Sequence, residues 1–288
     1  MNGKNTMITK VEFVAEIGSN WYASGENGLE RAKRLIESAA RSGADTVKFQ
    51  LLRANQLYRD PKEQAARKHI ELPVGWIPDL VKTSNDNGVE FFCTPFYLDA
   101  VDILAEHVTK WKIASWDMTY KPLLEKIAKT GMNPIMSTGA ATLAEVEDAL
   151  NVFLDYSYEA DDITLLHCTG GYPTEPQDMV LNRINDLAAE FFPVHVGLSS
   201  HCIIPAVTAS AVLFNAEYIE VHYDLKDRKG VESGHSYTPD KFSEMVRLAK
   251  TLVEAKDCGC ERTFVDAQAR NMYYRDPSDW LRPVLEPK

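Results

Sequence analysis

Short, nearly continuous runs of Val, Ile, Leu and Phe alternate with longer stretches of helical spacing along this chain. The short runs fall at 11–17, 46–49, 90–93, 111–113, 134–136, 163–166, 195–198 and 218–221. Runs of this kind are what strands buried on both faces require. Between them, amphipathic stretches at 29–42, 76–87, 100–107, 123–130, 143–156, 181–191, 205–214 and 239–255 predict helices. Thr142 ahead of Leu143, Ala144 and Glu145 reads as an N-cap followed by an acidic first turn. Gly43, Gly88 and Gly131 stand where helices should stop. Eight strand–helix units predict a single-domain α/β fold, a (β/α)8 TIM barrel, with a doubly wound sheet as the alternative. The barrel is expected over 1–262, and 263–288 as an appendage too small to be a domain.

Charge narrows the function. A net charge of −11 argues against a general nucleic-acid binder, although a few local lysines can still hold an anion. The first residues lack the apolar core of a signal peptide, and no stretch is apolar enough to span a bilayer. Five scattered cysteines without a CxxC pair fit a reducing compartment. A cytoplasmic protein with neither nucleic-acid nor membrane partners is expected.

In a barrel, residues at the C-terminal ends of the strands face the active site. Those positions are polar throughout: Glu16; Lys48 and Gln50; Thr94; Lys112, Ser115 and Asp117; Ser137 and Thr138; His167, Thr169 and Tyr172; Ser199, Ser200 and His201; His222 and Asp224. Lys48 and Lys112 sit in apolar runs where a lysine is costly to bury unpaired. They are either structural ion pairs or, with Ser115, Ser137 and Ser199, an anion site. His201 and His222 end adjacent strands and together suit a divalent ion, unless one of them merely packs. Glu16 is a candidate general acid or base, with a structural partnership to a lysine as the alternative.

The segments VAEIGSN, GADTVKFQ, FFCTPF, KIASWDMT, PIMSTGAATLAEVEDAL, LLHCTGGYPTEP, VGLSSH and IEVHYDL occur in this order. Together they resemble the sialic acid synthase family, which makes N-acetylneuraminate, legionaminate, pseudaminate and related nonulosonic acids. The resemblance implies a (β/α)8 catalytic barrel and a metal-dependent condensation of phosphoenolpyruvate with the open-chain aldehyde of an N-acylated amino sugar. It assigns Lys48, Thr94, Lys112, Ser115, Ser137 and Ser199 to phosphoenolpyruvate. His201 and His222 are assigned to a divalent ion, usually Mn²⁺, with Mg²⁺ or Co²⁺ as alternatives. Glu16, Gln50, Asp117 and Tyr172 fall to the sugar or to proton transfer, so that Glu16, Asp117 and Lys112 are the expected catalytic groups.

Several positions depart from that family's pattern. Trp21 follows Asn20 where histidine is usual, Gly170 and Gly171 replace an asparagine or serine, and Ser200 replaces an aspartate. Glu232 stands where a substrate-side aspartate is usual. The family's C-terminal antifreeze-like domain, which lends an arginine to the partner's site in its homodimers, is not expected here. A homodimer remains the expected assembly. These departures keep two other functions open: a metal-dependent 2-keto-acid aldolase or lyase on the same barrel, and a catalytically degenerate ligand-binding paralogue.

Overall fold

The computed structural model describes residues 11–256. The boundary at 262, the appendage, Cys258 and Cys260 therefore lie outside the described residues. The strands are β1 (Glu12–Gly18), β2 (Thr46–Leu51), β3 (Glu90–Pro95), β4 (Trp111–Ile113), β5 (Pro134–Ser137), β6 (Thr164–Cys168), β7 (His195–Ser200) and β8 (Tyr218–His222). All pair in parallel, in the order β3-β2-β1-β8-β7-β6-β5-β4. β3 and β4 lie against each other without a ladder, so the ring is a nearly closed barrel and a single domain.

Ten α-helices accompany the strands among the described residues: α1 (Gly28–Arg41), α2 (Ala54–Leu57), α3 (Pro61–Arg67), α4 (Ile77–Asp86), α5 (Leu98–Leu104), α6 (Lys121–Ala128), α7 (Leu143–Leu154), α8 (Arg183–Glu190), α9 (Pro205–Ala209) and α10 (Pro239–Lys256). The Thr142 hydroxyl caps α7, and Glu145 answers it in a capping box. Gly43, Gly88 and Gly131 adopt φ of +95°, +70° and +73°, which explains glycine at these helix ends. The expected helix over 205–214 is α-helical only to Ala209 and then tightens into a 3-10 turn, Ser210–Phe214. The sequence pattern missed α2 and α3, because helices this short lack the turns needed for a periodic stripe.

Strand periodicity sorts the side chains. One alternating set, including Phe13, Val47, Phe91, Ile113, Met136, Leu165, Leu198 and Val221, packs outward in the main core cluster under the helices. The other set points to the barrel axis, where Phe92, Ile135 and Leu166 form a separate small cluster against Tyr218. Gly197 makes room for it, since a Cβ there would sit 2.7 Å from both Leu166 Cδ2 and the Tyr218 carbonyl. Below this plug Lys110 reaches Tyr218 Oη at 3.2 Å and Glu12 at 3.6 Å. These side chains occupy the N-terminal end of the axis among the described residues, and a cavity lies above the plug.

A fully buried arginine ties the β8–α10 connection to β1. Arg31, on α1, donates to Asp224 at 2.6 Å, to both Asp227 oxygens, and through Nε to the Asn20 carbonyl at 2.8 Å. Asn20 in turn donates to the Tyr223 carbonyl and to Ser236 Oγ, both at 2.9 Å. Removing one partner of such a buried pair leaves the other charge uncompensated. Arg31→Met is expected to cost about 3–5 kcal/mol, measured by denaturant unfolding of the full chain.

Candidate active site

Above the apolar plug the axis carries charges. Glu16, Lys48, Lys112 and Glu220 come from β1, β2, β4 and β8, and all are buried. Lys48 Nζ lies 2.7 Å from Glu16 Oε2 and 3.7 Å from Glu220 Oε1, and donates to Thr94 Oγ1 at 3.3 Å. Lys112 Nζ donates to Ser137 Oγ at 2.7 Å and to the Ile113 carbonyl at 3.1 Å, with Glu220 Oε1 at 3.8 Å. Gln50 Nε2 holds the other Glu16 oxygen at 2.6 Å, and Ser199 Oγ donates to Glu220 at 3.0 Å. The lysines are thus ion-paired, as one of their two sequence readings held. They also line an open cavity of about 760 Å³, so the pairing does not fill the anion space.

Environment separates the two carboxyls. Burial raises the Glu16 pKa, with the Lys48 charge only partly opposing it. Burial also works against ionisation of Glu220, yet Lys112, Lys48 and the Ser199 hydroxyl hold its pKa below the usual value. Burial lowers Lys112 despite Glu220, whereas Glu16 and Glu220 overcome the same burial at Lys48 and raise it. The same surroundings thus push the two carboxyls apart, Glu16 towards its protonated form and Glu220 towards its ionised form.

At the mouth, the His201 and His222 rings lie 5.4 Å apart between centroids, with Tyr172 4.0 Å from His201. His201 Nδ1 is bonded to the Thr169 carbonyl at 3.0 Å, and His222 Nδ1 to Glu232 Oε2 at 3.0 Å. Each leaves Nε2 uncommitted, the pattern of an imidazole oriented for an ion by its other nitrogen. Burial lowers the His201 pKa to about 4, so its lone pair is free at neutral pH. Glu232 overcomes burial and raises His222. The donors present therefore fit a divalent ion.

The cavity is lined by every expected site residue but one: Glu16, Lys48, Gln50, Thr94, Lys112, Ser115, Ser137, Tyr172, Ser199, His201, His222 and Glu232. Asp117 is the exception. It is buried beside the cavity lining, its Oδ2 has no hydrogen-bond partner, and burial lifts its pKa to about 6 against the pull of Lys112. Five other polar strand ends serve the scaffold, among them Thr169, whose hydroxyl donates to the Asp178 carbonyl at 3.3 Å. His167 bonds the Met179 carbonyl, Thr138 the Leu166 carbonyl, Ser200 the Cys202 N–H and Thr208, and Asp224 belongs to Arg31. Trp21 is also a packing residue, edge-on to Trp76 at 5.3 Å and outside the cavity.

Glu220 and His235 line the cavity and were missed by inspection of strand ends. Counting back two from His222 along β8 would have found Glu220, because inward positions alternate. His235 lies on a loop turn, where no periodicity applies. The unexpected segment at α2 and α3 adds Leu57, Tyr58 and Arg67 to one wall.

The sequence model of the NeuB family matches residues 35–261. Over 245 residues the chain is 36% identical to an uncharacterized protein of Methanocaldococcus jannaschii, covering 84% of this chain and 70% of that one. It is 33% identical over 273 residues to the N,N'-diacetyllegionaminic acid synthase of Campylobacter jejuni, covering 88% and 80%. The crystal structure of the N-acetylneuraminic acid synthetase of Leptospira borgpetersenii matches with a TM-score of 0.82 and 28% identity, covering 93% of this chain and 94% of that one. This chain is an enzyme that belongs to the NeuB family.

Proposed function

We propose that the chain condenses phosphoenolpyruvate with the open-chain aldehyde of an N-acylated amino sugar, giving a nonulosonic 2-keto acid and phosphate. The observation that carries this reading is one cavity with two buried ammonium groups and four hydroxyl side chains at its base and an imidazole pair at its mouth. Lys48 and Lys112 supply charge for the phosphate and carboxylate, and Thr94, Ser115, Ser137 and Ser199 supply directional donors. His201 and His222 would hold a divalent ion, Mn²⁺ first among the choices, which when bound supplies Lewis-acid polarisation of the aldehyde.

Four formal charges at the base cancel before substrate arrives, so an entering anion must compete for Lys48 with Glu16. That competition strengthens the hold of Glu16 on a proton. As C3 of the enol bonds to the aldehyde carbon, positive charge develops at C2 and water adds there. Glu16 takes one proton of that water and returns it to the phosphate as the C2–O bond breaks and the C2 keto group forms, while the other proton of the water ends on the former aldehyde oxygen, now a hydroxyl. Glu220, kept ionised by both lysines, stabilises the developing positive charge without moving a proton. Gln50 holds Glu16 in place, and Tyr172 and Glu232 face the space left for the sugar.

Phosphate release should require both phosphoenolpyruvate and an amino sugar, and should stop with EDTA. No release across a panel of N-acylated hexosamines supplied with Mn²⁺ would overturn the proposal. Glu16→Gln is expected to lower kcat by about 10²–10⁴-fold while calorimetry still detects phosphoenolpyruvate binding. Asp117 gives a prediction about stability. The folded chain binds its proton more tightly than the unfolded one, so the group's contribution is fully present below the unfolded pKa of ~4. It is lost as pH rises through about 6. Asp117→Asn should therefore be more stable than wild type at pH ~7 by about 2–3 kcal/mol. The gap should close towards pH ~4 in denaturant titrations at both pH values.

A further inference from the structure

His235 has no task in the chemistry above, yet it stands at the mouth of the same cavity. Its ring is 4.6 Å from that of His222 and 6.2 Å from that of His201. One ligand atom each from His222, Glu232 and His235 all fall within 4.8 Å of one another. We propose that Glu232 and His235 join His222 in holding the divalent ion of this chain, so that the pair His201 and His222 is not the whole site. The inference rests on the reading that the cavity binds an ion, and adds which residues of this chain set its affinity.

The donor set is chemically suited to the task. Two neutral imidazoles and one carboxylate match the preferences of Mn, Fe, Co and Zn, and leave coordination positions open. Glu232 meets His222 Nδ1 at 3.0 Å and ion-pairs with no lysine or arginine among the described residues, so no fixed cation competes for its charge. A neutral two-histidine site would bind only modestly, whereas the added anionic oxygen contributes direct Coulomb attraction at short range.

The loop carrying Glu232 and His235 is also held in place before any ion arrives. The Glu232 N–H donates to Asn20 Oδ1 at 2.7 Å, and the Glu232 carbonyl accepts from Ser236 Oγ at 2.7 Å. Asp224, anchored by Arg31, accepts from Gly230 N at 3.0 Å and from the Ser233 hydroxyl. Beneath the carboxylate the chain passes through Gly18 at φ +52°, where a Cβ would come within 2.3 Å of Glu232 Oε2. A fixed carboxylate and a fixed imidazole three residues apart lose little freedom on binding an ion.

Titration of the metal-free full chain with MnCl₂ in a calorimeter, without phosphoenolpyruvate or sugar, tests this directly. His235→Ala, His235→Gln and Glu232→Gln should each weaken Mn²⁺ binding by at least about tenfold, and His201→Ala by less than either His235 variant. With Co²⁺ as probe, the visible d–d bands should change in shape and intensity in the His235 variants. Thermal melts of each variant separate loss of a ligand from loss of the fold, and His235→Gln serves where alanine unfolds. Unchanged Mn²⁺ affinity in both His235 variants, or a His201→Ala loss exceeding theirs, overturns the proposal. Because no substrate is present, that result is distinct from a failure of the enzyme to release phosphate.

Discussion

Burial of two ammonium groups and two carboxylates on the barrel axis is the constraint on which the rest depends. In an apolar interior such charges are tolerated only as close pairs with their remaining hydrogen bonds satisfied. Lys48, Lys112, Glu16 and Glu220 are paired in this way, with hydrogen bonds from or to Thr94, Ser137, Ser199 and Gln50, and Glu16 Oε2 has its Lys48 ion pair alone. The result is a site neutral by formal count but easily polarised. An anion entering the cavity exchanges one partner of each lysine for another rather than bringing a charge into a bare apolar space.

The same economy joins stability to function around the β8–α10 connection. Arg31 and Asn20 lie outside the cavity lining, yet through Asp224, Tyr223 and Ser236 they fix the loop that presents Glu232 and His235. Backbone spacing reinforces this. A Cβ on Gly230 would collide with Asn20 Oδ1 at 2.3 Å, as one on Gly18 would with Glu232. Two glycines therefore mark where backbone passes against polar side chains instead of apolar ones. Asp117 is the converse case, a buried carboxyl whose Oδ2 lacks a hydrogen-bond partner, held in place by the fold at a cost in stability.

Departures from the family's motifs have unequal weight once located. Trp21 fills core space beside Trp76, and Ser200 caps the turn at Cys202, so neither alters the cavity wall. Glu232 is different, because it faces the cavity beside His222 and His235. The change in local motif there alters the cavity lining rather than the barrel.

Much of the architecture was legible in one dimension. Apolar runs with no polar alternation marked each strand, glycines marked helix ends, and charged residues inside apolar runs marked Lys48 and Lys112 as exceptional. Of the expected residues that line the cavity, all but Glu232 were legible at strand ends, because parallel strands in a barrel direct those ends to one place. Which strand-end side chains face the axis was decided by strand parity and by competing partners. His167, Thr138 and Ser200 found backbone or neighbouring hydroxyls instead. The pairing of each lysine with a particular glutamate, the role of Arg31 and the meeting of His235 with His222 arose only in three dimensions. Local spacing records what a residue is and roughly where its strand ends. Contacts between loops ten or two hundred residues apart depend on how the ring closes, and no periodicity in the chain encodes that.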